Sequence, residues 1–253
     1  MGLNYIQFGD IKSSDFGIYI SGEGVFNAPV RKGSIVSIPG RNGDLFIDEG
    51  SFENIEVTYP AYFYEPTLTD FSTTIKNFRN ALLGQKGYQN LTDTFNVDEF
   101  RKGLFIAGLE VSPVMYNTAA TFDLVFNCKP QRFLKSGLTY RTIPPDTDVI
   151  IENPTPFEAC PYMELNSAYY GATITINGVP ITIGATNSSR VLSIDTEPGE
   201  AYLYYNGQNM NNYISIPGNE YPKLVPGENT IRFTKGSASS SAALTLRPNW
   251  WRI

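Results

Sequence analysis

Between residues 52 and 59 apolar and polar side chains alternate: Ile55, Val57 and Tyr59 fall on one face, Asn54, Glu56 and Thr58 on the other. Successive side chains of a strand point to opposite faces, so this pattern predicts a half-buried antiparallel strand, in which a slip of one residue would bury Glu56. Short strands are predicted at 16–20 and 34–38 before it, and at 104–111 and 120–127 after it, where Phe122, Leu124 and Phe126 alternate with Asp123 and Val125. The period changes once. Leu68, Phe71, Ile75, Phe78 and Leu82 recur at steps of three or four, the spacing of one helix face, with Thr67 as candidate N-cap and Gly84 as candidate C-terminal stop. Such a stripe covers a sheet far more often than it lines a cofactor site.

From 128 to 161 the chain is punctuated by Pro130, Pro144, Pro145, Pro154 and Pro156, which reads as a connecting segment because proline lacks the donor that a sheet ladder needs. Beyond it, 172–176 and 179–183 alternate around Asn177-Gly178, the dipeptide best suited to a tight hairpin turn. Further strands at 191–194, 202–205, 213–216, 229–234 and 243–246 predict a sandwich, with the Ser/Ala-rich stretch 236–243 as a loop. The fold class expected is mainly β, with a first β domain carrying one amphipathic α-helix over 1–135 and a second β-sandwich domain over 136–245. The aromatic finish at 246–253, with Trp250 and Trp251, is costly to leave in water and is a candidate to dock back onto the first domain.

Composition narrows the chemistry. Across 253 residues the net charge is −6, so the chain lacks the cationic excess that tight nucleic-acid binding draws on. The first twenty residues lack the basic start and apolar core of a signal peptide, and no stretch is apolar for long enough to span a bilayer; a soluble, unprocessed chain without membrane insertion is expected. Cys128 and Cys160 are the only cysteines, too few for a disulfide framework or a four-thiolate metal site, and read as two free buried thiols. The chain contains no histidine, which excludes Ser–His–Asp and Cys–His catalysis and histidine metal sites. No phosphate-binding glycine loop occurs either. No catalytic residue, no cofactor and no metal is therefore expected.

Two carboxylate groups remain, Asp44, Asp48, Glu49 and Glu53 near one turn and Asp146, Asp148 and Glu152 near another. A glycosidase needs only a carboxylate pair, but with no calcium-loop spacing these read as solvated turn residues. The Asn- and Tyr-rich segment from Tyr202 to Tyr213 would suit stacking on sugar rings as well as an ordinary β meander. A carbohydrate-binding β-sandwich module is therefore the alternative function, with a polysaccharide-degrading enzyme behind it.

The loop from Ile38 to Leu45, containing Gly40, Arg41, Asn42, Gly43 and Asp44, resembles the loop motif of the siphophage distal tail protein (Dit) family. It is followed, at family-like spacing, by Tyr59 to Phe63, the amphipathic helix, Gln85 to Leu91 and Phe126 to Phe133. Also similar are Asn153-Pro154-Thr155, Ile176 to Gly178, Ile194-Asp195, Tyr221 to Asn229 and the closing Arg247 to Trp251. This series spans nearly the whole chain. The resemblance implies a first domain related to tail-tube proteins that assembles into a hexameric ring around the DNA passage, and a galectin-like second domain outside it. It implies a structural protein of a long non-contractile tail, located at the virion tail tip and assembled in the bacterial host cytoplasm. Partners implied are copies of itself, with stacked rings left open, the tail tube protein and the tail-associated lysin or fibre protein; in some family members the outer domain also carries receptor-binding proteins. Gly40, Arg41, Asn42, Gly43 and Asp44 are the candidate oligomer or partner interface under this resemblance.

Overall fold

The structure, a computed structural model, describes residues 3–22, 26–64, 68–114, 118–166, 171–185, 191–203, 207–236 and 243–253. The chain divides into two compact units, residues 1–132 with 253, and residues 133–252. Both are built mainly of β-strands.

In the first unit the strands are β1 (Ile6–Phe8), β2 (Ile11–Lys12), β3 (Ile18–Ile20), β4 (Arg31–Val36), β5 (Leu45–Phe52) and β6 (Ile55–Tyr64). After helix α1 (Leu68–Gly84) come β7 (Gln89–Asp93), β8 (Glu99–Leu104), β9 (Ser112–Val114) and β10 (Ala119–Leu134). The main sheet runs β2-β1-β7-β8-β10-β6-β3, with β9 pairing the start of β10, while β4 and β5 form a separate two-stranded ribbon. The long pair β6 and β10 is its spine, in antiparallel register from Ala119 opposite Tyr64 to Cys128 opposite Ile55. The alternation read from the sequence has the expected consequence: Ile55, Val57, Tyr59, Ala61 and Phe63 are buried from β6, and Phe122, Leu124 and Phe126 from β10. On α1, Phe78 and Leu82 are fully buried and Phe71 nearly so, and Phe78 meets Phe16 at a ring-centroid distance of 5.2 Å. The helix therefore covers the sheet.

Several local expectations fail for physical reasons. Gly84 is the last residue of the helix, as expected, but it does not take the left-handed backbone, which falls at Gly87 with φ 68°. Thr67 lies outside the described residues. The strand expected at 104–111 sits earlier, at Glu99–Leu104; residues 105–111 are irregular, and Phe105, Leu109 and Val111 reach the core from a loop. Apolar side chains that pack from a loop are indistinguishable in composition from those of a strand.

The stretch 128–161 is not a simple connector. β10 continues through Pro130 to Leu134, and β11 (Arg141–Ile143) and β12 (Asp148–Asn153) lie within the stretch. Pro130 is tolerated beyond Cys128, the last residue of β10 opposite β6, so its missing donor deprives no β6 partner.

The second unit continues with β13 (Tyr162–Asn166), β14 (Ala172–Ile176), β15 (Val179–Ile183), β16 (Leu192–Asp195) and β17 (Glu200–Leu203). It ends with β18 (Ile214–Ser215), β19 (Gly227–Lys235), β20 (Ala243–Arg247) and β21 (Trp251–Arg252). Two antiparallel sheets, β11-β20-β13-β16-β17 and β12-β19-β14-β15-β18, face each other across one core. Met163, Leu165, Ile194, Leu244 and Leu246 come from the first sheet and Ile174, Ile181, Ile231 and Phe233 from the second, all fully buried. Asn177 (φ 50°) and Gly178 (φ 83°) make the tight β14–β15 turn, as their side chains allow. Trp250, 2% exposed, belongs to this core, and its carbonyl accepts from the Leu134 N–H at 2.9 Å. Tyr204, Tyr205 and Asn206, and residues 237–242, lie outside the described residues.

Candidate interaction surface

The ribbon of β4 and β5 pairs with no other strand among those described. Its register places Val36 opposite Leu45, Ile35 opposite Phe46 and Ser34 opposite Ile47. Val36, Leu45 and Ile47 therefore share one face, Ile35 and Phe46 the other. All five are exposed, Ile35 by 72% and Ile47 by 51%. A lone two-stranded hairpin is marginal in water, and this one adds uncovered branched and aromatic side chains to that weakness.

The second face is partly satisfied within the ribbon. A side chain at Gly33 would collide with the Phe46 ring and the Ile47 carbonyl, so the ring lies over the glycine. The Arg31 guanidinium sits over the Phe52 ring at 4.7 Å and holds Asp48 at 2.9 Å, a pair too exposed to contribute more than about 1 kcal/mol. Both faces remain open, with Val36 41% and Leu45 40% exposed on the one and Ile35 and Phe46 on the other.

The candidate loop residues form the tip of this ribbon. Gly40, Arg41, Asn42, Gly43 and Asp44 are all exposed, and the backbone turns through a hydrogen bond from the Arg41 N–H to the Ile38 carbonyl at 3.2 Å. Gly40 and Gly43 both have φ of 80°, where a side chain would be strained. The glycines are thus explained by the turn. Neither the Arg41 side chain nor Asp44 is held by that requirement.

A second surface lies on the face of the main sheet turned away from its core. Pro60 opposite Asp123 and Tyr62 opposite Thr121, joined by Val125, floor a trough of about 620 Å³. Gly108, Glu110 and Ser112 wall it on one side; Ser21, whose N–H donates to the Pro60 carbonyl at 2.8 Å, lines it too. Its charged lining is acidic, Glu110 and Asp123. No local pattern signals this trough, because its parts are far apart in the chain and meet through the β6–β10 pairing and the irregular passage after β8.

Other charged and reactive groups serve the fold. Buried Arg132 approaches Glu99 at 3.6 Å, and Arg101 donates to the Asn27 carbonyl at 3.4 Å; burial, then the neighbouring Arg132, lowers the Arg101 guanidinium below its ordinary value. Tyr59 donates to Asp93 at 3.0 Å, and burial together with that carboxylate raises its phenol well above the usual range. Burial pushes the Cys128 thiol up to about 12. At neutral pH both stay protonated, so neither supplies a nucleophile or a base. Cys160, free like Cys128, is half-buried rather than fully buried as expected. Of the two carboxylate groups, Asp48 holds Arg31 and Asp148 holds Arg232 at 3.0 Å, and no cluster of three metal-ligating side chains occurs among the described residues.

Several family-like motifs also have structural explanations. Asn153 donates to the Phe157 and Leu224 carbonyls and accepts from the Thr155 N–H and hydroxyl. Asn229, fully buried, donates to the Val225 and Gly227 carbonyls and accepts from the Val225 N–H and from Asn177. Asn249 donates to the Cys160 carbonyl and positions the turn before Trp250. These asparagines act as clamps on backbone in and beside the turns of the second unit.

No family model matches the chain, and no curated protein matches it. Solved structures do. The crystal structure of the SPP1 Dit (gp 19.1) protein, described as a paradigm of the hub adsorption apparatus in phages infecting Gram-positive bacteria, superposes with a TM-score of 0.74 at 13% identity, covering 100% of both chains. The phage P2 baseplate in its activated conformation with Ca matches at a TM-score of 0.55 and 10% identity, over 97% of this chain and 98% of that one. The same baseplate with Sr matches at 0.54 and 10%, over 100% and 99%. The chain therefore has the mainly β, two-unit fold of a phage Dit hub protein along its entire length.

Proposed function

We propose that this chain is a structural distal tail protein of a long non-contractile-tailed phage, forming a hexameric ring that joins the tail tube to the tail tip and lets DNA pass. The observation that carries the reading is the fold shared with a Dit hub protein over both units rather than over a sandwich alone. A free-standing sugar-binding module would need only the second unit.

In this reading the first unit forms the ring, the β4–β5 ribbon with its Gly40 to Asp44 tip contributes the contact between copies, and the galectin-like second unit lies outside. The ring is built in the host cytoplasm and resides at the virion tail tip. Its partners are the tail tube protein on one side and a lysin or fibre protein on the other, with receptor-binding proteins as cargo of the outer unit. Its work is mechanical and needs no cofactor or catalytic group. The absence of a cationic excess suits a conduit, since DNA that must pass should not be retained.

Negative-stain electron microscopy of the purified full chain, at high concentration and with the adjoining tail proteins, tests this reading. Six-fold rings with a central hole are expected. A protein that stays monomeric in both conditions and binds glycans tightly would overturn it in favour of the carbohydrate-binding module.

A further inference from the structure

β12 is the end strand of its sheet, and its antiparallel register with β19 runs without a bulge from Asp148 opposite Arg232 to Asn153 opposite Gly227. In such a pair the N–H and C=O of one residue point to the same side, and the side alternates along the strand. The Thr230 carbonyl accepts from the Asn177 N–H at 2.9 Å, and the Thr230 N–H donates to the Asn177 side-chain oxygen at 3.0 Å. Both backbone groups of Thr230 therefore face β14, away from β12. Ile150 stands opposite Thr230, so its own N–H and C=O point out of the sheet edge, as do those of Asp148 and Glu152 by the same alternation. Among the described residues no backbone group takes them.

Exposed edges are ordinarily blunted by shortness, a proline, a lysine, a bulge or a covering segment. The other three edges of the two sheets follow that rule. β11 has three residues and β18 two, while β17 is covered where the Met210 N–H donates to the Ala201 carbonyl at 2.7 Å. β12 has six residues, no proline and no lysine, and its Ile150 is 64% exposed on the outer face.

Charge selects the occupant. On that outer face Asp148 is held by Arg232, but Glu152 lies directly opposite Glu228, both exposed and without an ion pair among the described residues. Like charges directly opposite each other destabilise a strand pair. A second copy of this edge would add to the repulsion: antiparallel pairing centred on Ile150 sets Asp148 against Glu152 twice, and in-register parallel pairing sets each acid against itself. A strand bearing Lys or Arg beside Glu152 relieves it.

We infer that β12 is a strand-addition site for an extended segment of another protein, apolar where it passes Ile150 and basic where it passes Glu152. The backbone edge supplies the hydrogen bonds and the acidic pair supplies the choice of partner. This site belongs to the second unit alone and stands whether or not the first unit builds rings.

Fluorescence anisotropy of the full chain with a fluorescein-labelled Thr-Lys-Thr-Val-Thr-Lys-Thr peptide tests the site. Saturable binding is expected, with the Ile150 amide exchanging fast in the free chain and slowly in the complex. The same peptide N-methylated at alternate amides keeps its charge and loses its donors, and should bind at least about tenfold more weakly. Ile150→Pro removes an outward N–H, a position that proline occupies on natural edges. It should leave the tryptophan-detected urea midpoint in place and weaken peptide binding by a similar factor. Glu152→Lys should weaken binding several-fold and flatten its salt dependence. Absence of saturable binding would overturn the site, as would an Ile150 amide already protected in the free chain. Equal affinity for the parent and N-methylated peptides would show charge attraction without strand addition. Loss of six-fold rings in Ile150→Pro would reassign the edge to contact between copies. Unchanged rings beside failed peptide binding would sink this site and leave the ring reading standing.

Discussion

Replacing Asn229 by Ala should destabilise the second unit by about 4 kcal/mol, far beyond an ordinary polar-to-alanine change. The Asn229 side chain is fully buried and makes four short hydrogen bonds: to the Val225 carbonyl at 2.8 Å and the Gly227 carbonyl at 2.9 Å, and from the Val225 N–H and the Asn177 amide at 2.8 Å each. A longer one reaches the Ile151 carbonyl at 3.4 Å. An intramolecular hydrogen bond contributes roughly 1 kcal/mol net, and a buried group orphaned by loss of its partner costs about 1–3 kcal/mol. Truncation orphans the Val225 N–H and its carbonyl together, so about 4 kcal/mol is the sum of four ordinary bonds without exceptional terms. Tryptophan fluorescence isolates the measurement, because the chain's only two tryptophans, Trp250 and Trp251, both lie in the second unit. The urea midpoint followed at that signal should fall steeply in Asn229→Ala. Asn177→Gly removes only half-exposed bonds and relieves a positive φ, so it should change stability by less than about 1 kcal/mol. A loss below about 1 kcal/mol in Asn229→Ala would refute the clamp, showing that water or rearranged backbone satisfies the same groups.

Phe78→Ala should cost the first unit roughly 3–5 kcal/mol as a fully buried aromatic deletion, read by near-ultraviolet circular dichroism; a loss under about 1 kcal/mol would mean that α1 does not cover the sheet. Because the folded Cys128 thiol titrates at about 12, above its unfolded value near 8.5, the unfolded chain releases its proton first as pH rises. Stability should therefore hold below pH 8.5 and fall by up to about 1.4 kcal/mol per pH unit between there and 12, and Cys128→Ala should flatten that slope. A thiol reagent at pH 8 should label Cys160 and spare Cys128 until denaturant is added, and equal labelling rates would contradict the burial. Gly33→Val should abolish oligomerisation without moving the tryptophan-detected midpoint, since it breaks only the β4–β5 ribbon; rings of unchanged yield would remove the ribbon from the interface.

Features that depend on local period and turn chemistry were legible along the chain. Alternation at Ile55, Val57 and Tyr59 specifies a buried strand face because a strand repeats every two residues, and Asn177-Gly178 specifies a hairpin because few side chains accept positive φ. The α1 stripe was legible for the same reason, as was the absence of histidine chemistry. The loop from Gly40 to Asp44 stood out as a motif, but its residues alone did not reveal that it tips a ribbon apolar on both faces. That follows only from β4 and β5 pairing with each other and with no other described strand. The trough needed more still: Ser21, Tyr62, Glu110 and Asp123 are unremarkable singly and become one surface through long-range pairing. The proline-rich stretch misled because proline reports a missing donor, not a missing strand, and the fold could place Pro130 where no β6 partner needed one. Tertiary structure decided these points because exposure and pairing belong to contacts between distant segments, which local propensity does not encode.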